Sequence, residues 1–383
     1  MVKYLGRKAY FVSIFFVIVV AVAGLIWWNF RANRVEDLPI LPAATAPIVK
    51  DQISEDIPLA VSLAQKLEIP WALDFLPDGS IVFTERPGRV RLIDGQEGLL
   101  PEPLLTINEI AHHGEGGLLG IAVHPDFASN HFIYLYYTYE GRQNLANRVV
   151  RFRLENKTLR GTKIILDNIP ASSNHNGGRI KFGPDGMLYV TTGDASLADS
   201  AQDRDSLAGK ILRLTDDGTI PPDNPFPDSP VYSFGHRNPQ GLAWDDQDQL
   251  WATEHGAKAT DELNLIEPGK NYGWPTIRGN EQALGLESPI IQSGRETWAP
   301  SGLAFLDGSL FFAGLRGQSL YQAVIGENEG VTLRRHLNRH FGRLRDVAIG
   351  PDNLLYLLTS NRDGRGVPIA ADGQIIRINP QKL

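Results

Sequence analysis

The stretch Ile180-Lys181-Phe182-Gly183-Pro184-Asp185-Gly186-Met187-Leu188-Tyr189-Val190 decides the fold. It reads as two short apolar strands around a Pro-Asp-Gly turn. Proline presets a turn dihedral, aspartate bonds the backbone beyond it, and glycine accepts positive φ at no steric cost. Five relatives of this stretch occur along the chain. Trp71–Gly79 leads into Ile81-Val82-Phe83, Ile121–Asp126 into Phe132–Tyr137, Leu242–Asp246 into Leu250-Trp251-Ala252, Leu303–Gly308 into Leu310-Phe311-Phe312, and Val347–Asp352 into Leu354–Leu357. Turn-to-turn spacings of roughly 45 to 61 residues suit a four-stranded blade with variable loops. A lone hairpin cannot bury both faces, whereas six sheets packed radially bury one another and leave only short edges. A β-sandwich, the other all-β solution, does not call for a regular hairpin repeat. The expectation is an all-β, six-bladed β-propeller over residues 59–383.

Composition agrees with a large core. Of 383 residues, 42% are hydrophobic, and the 38 glycines and 25 prolines are scattered among apolar runs rather than gathered in a low-complexity tail. A formal charge of −7, with no dense Lys/Arg cluster, argues against a nucleic-acid partner, because phosphate binding needs a basic face. The chain has no cysteine, which excludes disulfides, thiolate metal sites and a cysteine nucleophile.

The N-terminus is a different material. Lys3, Arg7 and Lys8 precede an apolar run from Ala9 to Phe30 broken by Ser13 and Asn29, and Arg31 and Arg34 follow. About 20 residues at ~1.5 Å rise cross a hydrocarbon core of ~30 Å. Ala21-Val22-Ala23 resembles a small-residue cleavage site, so a cleaved signal peptide is the alternative. The apolar run nevertheless continues to Trp27-Trp28, a pair suited to the membrane interface. Residues 1–34 are therefore expected to form an uncleaved transmembrane helix. Its basic N-terminal side would stay in the cytoplasm, with the propeller exported to the periplasmic face of the inner membrane. Residues 35–58, rich in Pro, Ala and acids, read as a tether.

In a propeller, ligands bind at the mouth of the central channel, so polar residues flanking the innermost strands carry the functional signal. Asn174-His175-Asn176-Gly177-Gly178-Arg179 precedes the quoted stretch, and Thr191-Thr192-Gly193-Asp194 ends its second strand. A histidine in a polar loop is by itself more often a hydrogen-bonded surface residue. A hairpin that returned Asp194 to His175 would change that, fixing the tautomer and making the free ring nitrogen a better base. Phe234–Gly241 contributes Arg237 and Asn238 before the fourth repeat. Glu254-His255-Gly256, Asp261-Glu262 and Asn271–Pro275 mix carboxylate, amide and carbonyl oxygens, a set that suits calcium. Asp203 and Asp205 lack the glycine and final glutamate of an EF-hand and read as turn or surface acids. Arg316, in Gly314-Leu315-Arg316-Gly317, and Arg343-Leu344-Arg345-Asp346 fall at equivalent edges of the last two blades. Arginines meeting there form an anion site unless each pairs with a carboxylate such as Asp346.

Together with Gly114-Glu115-Gly116-Gly117-Leu118-Leu119-Gly120, these segments resemble the glucose/sorbosone dehydrogenase family from about Leu67 to Ile378. Within it the chain is most similar to the soluble aldose sugar dehydrogenases that use pyrroloquinoline quinone. The resemblance implies a six-bladed propeller, reached above from the repeat alone. It also implies oxidation of an aldose to a lactone, with hydride passing to the quinone and calcium polarising its carbonyl. The catalytic base falls on His175 and its orienting carboxylate on Asp194. Cofactor contacts fall on Glu115, Arg237, Asn238, Gly314, Leu315, Arg316, Arg343, Leu344 and Arg345, and calcium ligands on Glu262 and the carbonyl of Tyr272. Three carboxylates on the quinone account for the arginines. The electron acceptor stays unnamed.

The match has departures. Glu115 stands where close members carry glutamine, and an acid there repels an anionic quinone unless it is protonated or paired. Arg316 replaces the lysine of some members, which keeps the charge but changes its geometry. Thr276–Gln292 does not clearly match the family pattern, so cofactor or substrate contacts from that loop are unassigned. Two other readings of such a propeller are a calcium-dependent lactonase, which needs carboxylates converging on the channel axis, and a non-catalytic extracellular binding propeller. Retention of His175, Asp194, Glu262 and the four arginines counts against the latter.

Overall fold

Each of the six turns quoted above joins the first two strands of a separate antiparallel sheet in the computed structural model, which describes residues 57–326 and 330–383. Numbered from β1 (Ala60–Ala64), the hairpins are β2–β3 (Pro70–Phe75, Ile81–Glu85), β7–β8 (Leu118–Val123, Phe132–Glu140) and β11–β12 (Ile180–Phe182, Leu188–Thr192). The other three are β15–β16 (Pro239–Trp244, Leu250–Glu254), β19–β20 (Pro300–Leu306, Ser309–Gly314) and β23–β24 (Leu344–Ile349, Leu355–Thr359). Further strands extend each hairpin outward, giving five four-stranded sheets and one five-stranded sheet. First strands of neighbouring sheets pack on one another, β2 on β7, β7 on β11, β15 on β19, β19 on β23 and β23 back on β2, while β12 meets β15. The expected all-β, six-bladed propeller is the observed fold.

Local chemistry explains the turns. The carboxylates of Asp78, Asp185, Asp245 and Asp352 accept the amides of Ser80 (2.9 Å), Met187 (3.1 Å), Gln247 (2.9 Å) and Leu354 (3.2 Å), each two residues on. In the fifth repeat the loop shrinks to Asp307-Gly308, both at positive φ (48° and 70°), the pairing that matches strand twist. In the second it grows into one short helix, Phe127–Asn130, with His124 Nδ1 accepting the Asp126 amide. Strands β3, β12, β16 and β24 are buried along their whole length, as expected for strands covered on both faces.

The last sheet is completed from the other end of the chain. Strand β25 (Ile375–Ile378) pairs with β24 on one edge and with β1 on the other, Ala60 lying opposite Ile378 and Ser62 opposite Ile376. Neither β1 nor β25 carries a Pro-Asp-Gly turn, so the repeat did not reveal this closure. Because neighbouring strands alternate direction, the six repeat turns share one end of the ring. Residues just before each first strand and just after each second strand share the other.

The expected anchor, residues 1–34, and all of the tether but Ile57 and Pro58 lie outside the described residues. Among the described residues no helix is long and apolar enough to cross a membrane.

A chain beginning at Gln65 lacks β1 and exposes the β25 edge together with the buried Ile376 and Ile378. It is expected to lose a single cooperative thermal transition, or to melt well below a chain beginning at Asp51. Superimposable melting curves by circular dichroism would show that the ring does not need this strand.

Candidate active site

The residues before β11 and after β12 meet at the end of the ring opposite the repeat turns. His175 Nδ1 lies 2.8 Å from Asp194 Oδ1. The backbone reaches this geometry through left-handed conformations at His175 (φ 58°), Ala195 (50°) and Ser196 (62°), each costing roughly 1–2 kcal/mol. Gly193 makes the approach possible, since a Cβ there would stand 1.9 Å from the His175 carbonyl oxygen. Asp194 is buried and also accepts the Ser196 amide (2.8 Å) and the Trp274 indole N–H (2.8 Å). A carboxylate holding these donors leaves the proton on Nδ1. Nε2, which has no protein hydrogen-bond partner among the described residues, keeps its lone pair.

Two cavities adjoin this pair. The first is lined by Trp71, Glu115, Gly177, His255, Leu315 and Arg345, and the second by Arg237, His255, Glu262, Tyr272, Trp274 and Arg278. His175 itself lines neither cavity, but its amide donates to Glu115 Oε2 (3.0 Å) and the next two residues, Asn176 and Gly177, line the first; its side chain is 18% exposed.

The anion site expected from the arginines is partly neutralised, but not by the carboxylate named for that role. Asp346 is taken by Arg179 (2.9 Å), whereas Arg343 pairs with Asp363 (2.8 Å) and Arg345 lies 3.9 Å from that same oxygen. One carboxylate thus serves two buried arginines. Burial pulls the Arg345 pKa down to about 9 even with Asp363 nearby, and burial likewise lowers that of Arg237. Arg237 Nε, Asn238 Nδ2, His255 Nε2 and Arg345 Nε are buried without a hydrogen-bond partner among the described residues. Burial also holds His255 down at about 4, so its ring is neutral at pH 7. Under-compensated guanidinium groups and orphaned donors together suit an anionic, acceptor-rich ligand.

The remaining cofactor candidates divide. Leu315 lines the first cavity, and its carbonyl accepts from Arg343 (3.4 Å). Asn238 Oδ1 accepts the Gly177 amide (3.0 Å), tying the fourth blade to the His175 loop. Gly314 packs beneath Tyr321, Leu344 sits in the core with Leu320 and Leu357, and Arg316 is exposed with no ion pair among the described residues. None of these three lines either cavity. Asp203 and Asp205 are exposed turn acids, as expected.

The expected calcium ligands share the second cavity. Burial, reinforced by repulsion from Glu254, pushes the Glu262 carboxyl up to about 8. Glu254 itself is engaged by the His236 ring (2.8 Å) and the Arg237 amide. The Tyr272 phenol is tied back to the Leu265 carbonyl (2.6 Å) and the Glu267 amide (2.9 Å), which leaves its carbonyl for a ligand role. No cluster of three or more His, Cys, Asp or Glu side chains suited to a metal occurs among the described residues. A cation beside Glu262 would therefore draw on carbonyl oxygens and water, the hard-oxygen set that calcium accepts.

Sequence reasoning missed Arg365, which bonds Glu115 (2.5 Å), and Ile277 and Arg278, which line the second cavity from the segment left unassigned above. Arg365 lies in a Gly-rich loop after β24, where nothing local marks it as part of a site.

The sequence model described as glucose/sorbosone dehydrogenase matches residues 67–377. This chain belongs to that family. The aldose sugar dehydrogenase YliI of Escherichia coli K12 is 33% identical over 352 residues, spanning 83% of this chain and 92% of its own length. The PQQ-bound aldose sugar dehydrogenase of Streptomyces coelicolor shares 42% identity and superposes with a TM-score of 0.79, over 83% of this chain and 96% of that one. Human Hedgehog-interacting protein is 30% identical across 66% of this chain and 40% of its own length.

In this glucose/sorbosone dehydrogenase-family chain, Glu262 gives folding a pH dependence of known sign. Its folded pKa of about 8 lies above the ordinary 4.5, so between those values the folded state holds a proton that the unfolded chain has released. The contribution is full below the unfolded value and is lost as pH rises through the folded one. In a chelator, the melting temperature is expected to fall more steeply between about pH 5 and pH 8 in the parent than in Glu262→Gln. Parallel slopes would remove Glu262 as the cause.

Proposed function

We propose that this chain is an exported quinoprotein oxidoreductase that oxidises aldose sugars to lactones, using pyrroloquinoline quinone and calcium. The observation that carries the reading is the His175–Asp194 pair beside two cavities, one lined by the buried Arg345 and the other by Arg237, whose guanidinium groups and unpartnered donors suit an anion. Nε2 of His175 takes the proton from the anomeric hydroxyl, and Asp194 stabilises the imidazolium that results. When bound, the quinone supplies the two-electron acceptor for the hydride that leaves the anomeric carbon. Arg237, Arg345 and Asn238 hold its carboxylates, and Glu262 with the Tyr272 carbonyl holds calcium. The ionised, Arg365-paired Glu115 meets the condition under which an acid can stand beside an anionic ligand.

A lactonase reading needs free carboxylates on the channel axis. Those on the innermost strands are engaged, Asp346 by Arg179 and the Leu73 amide (3.2 Å), Asp74 by the Val123 amide (2.7 Å). The similarity to Hedgehog-interacting protein supports a binding propeller, but such a role has no use for an oriented imidazole.

Protein beginning near Asp51, supplied with calcium and pyrroloquinoline quinone, is expected to reduce a dye when given an aldose. No quinone-dependent spectrum and no sugar-dependent reduction would sink the reading. His175→Ala should keep quinone binding and lose on the order of 100-fold or more in turnover; undiminished turnover removes His175 from its role. Glu262→Gln should raise the calcium concentration needed for half-maximal activity, and an unchanged requirement places the metal elsewhere.

A further inference from the structure

The Glu115–Arg365 tie crosses the mouth of the site, and the His175–Asp194 chemistry does not account for it. One Arg365 nitrogen lies 2.5 Å from Glu115 Oε1 and another 3.1 Å from Asn174 Oδ1. The second Glu115 oxygen accepts the backbone amide of His175 at 3.0 Å. The partners come from three blades: Glu115 just before β7, Asn174 and His175 before β11, and Arg365 after β24.

Two features show that this meeting is built. Gly114, at φ 59°, lets its loop press on the His175 loop so closely that a Cβ would stand 2.1 Å from the Ser173 carbonyl oxygen, and the Glu115 amide bonds that same oxygen (2.8 Å). The Arg365 amide in turn bonds Asp363 Oδ1 (2.9 Å), whose other oxygen holds Arg343. A continuous polar chain therefore runs from the arginines of the sixth blade, through Arg365 and Glu115, to the backbone of the base. Burial pushes the Glu115 carboxyl up, but the His255 ring, protonated only below about pH 4, the His175 amide and the Arg365 guanidinium outweigh it and hold the value at about 2. The acceptor of the His175 amide is thus ionised throughout the working range.

We propose that Glu115 and Arg365 are positioning residues for the base. The Glu115 carboxylate pins the left-handed backbone of His175 so that its ring meets Asp194, and the Arg365 guanidinium fixes and neutralises that carboxylate. The catalytic consequence rests on the function proposed above. The backbone consequence does not, and it is measurable in cofactor-free protein.

Hydrogen exchange followed by mass spectrometry reads the second. Glu115→Ala should speed exchange of the peptide carrying the His175 amide by about tenfold or more, while peptides from β11 and β12 keep the parent rate. Glu115→Gln retains a carbonyl acceptor for that amide and should restore slow exchange, and Arg365→Ala should fall between the two. With calcium, quinone and an aldose, Glu115→Ala should lower kcat by about tenfold or more and leave KM within about twofold, because misplacing a base costs rate rather than binding. Unchanged exchange in Glu115→Ala, a glutamine variant that behaves like alanine, or faster exchange spread over β11 and β12 would each overturn the proposal. Site-specific exchange with no sugar oxidation in any variant supports the clamp and sinks the functional reading instead.

Discussion

The pairing of β1 with β25 is the constraint from which the site follows. A ring of sheets has no fixed radius or registry until its last sheet is complete, and here that sheet borrows a strand from the opposite end of the chain. Once it is closed, each innermost strand is held from both sides. Side chains then tie one blade to the next: Asp346 of the sixth accepts the Leu73 amide of the first and a guanidinium N–H of Arg179 in the third, and Asp74 of the first accepts the Val123 amide of the second. Loops at the mouth inherit their positions from this frame. A site made of loop residues can therefore be accurate without secondary structure of its own.

That accuracy is spent on two opposed electrostatic tasks. Around His175 every acid has donors: Asp194 takes the imidazole, the Trp274 indole and an amide, and Glu115 takes Arg365 and an amide. Around Arg343 and Arg345 the balance reverses, with two arginines sharing Asp363 and several buried donors left unmatched among the described residues. A base works best where its orienting partner is fully satisfied, while an anion binds best where positive charge is not. Placing the two conditions side by side, on loops of separate blades, lets each be met without weakening the other.

What the sequence disclosed follows from the range over which each interaction acts. The six hairpins were legible because turn chemistry is local: a Pro, an Asp and a Gly within a few residues set the dihedrals and supply the capping carboxylate. The His175–Asp194 pair was legible for the same reason at one remove, since a hairpin returns its second strand to where the first began. Closure by β1 was not, because Ala60 finds Ile378 only after the whole ring has formed. Arg365 was hidden likewise, its partner lying 250 residues away. The choice of Asp363 over Asp346 as partner for Arg343 depends on where the loop after β24 folds back, which no spacing encodes.

The net charge carries a related lesson. A total of −7 correctly disfavours a partner that needs a broad basic face, yet it says little about the mouth. The repeat places an acid at each of its six turns, Asp78, Asp126, Asp185, Asp245, Asp307 and Asp352, and antiparallel topology puts all six at the end away from His175. Six of the 44 acidic residues are thus a by-product of how the hairpins are made. The arginines at the other end are buried in low-dielectric surroundings, where a guanidinium acts more strongly on a bound ligand than a solvated carboxylate does across the length of a strand. An acidic protein can in this way offer a cationic cavity, and here the same turns that build the ring also keep their charge out of its mouth.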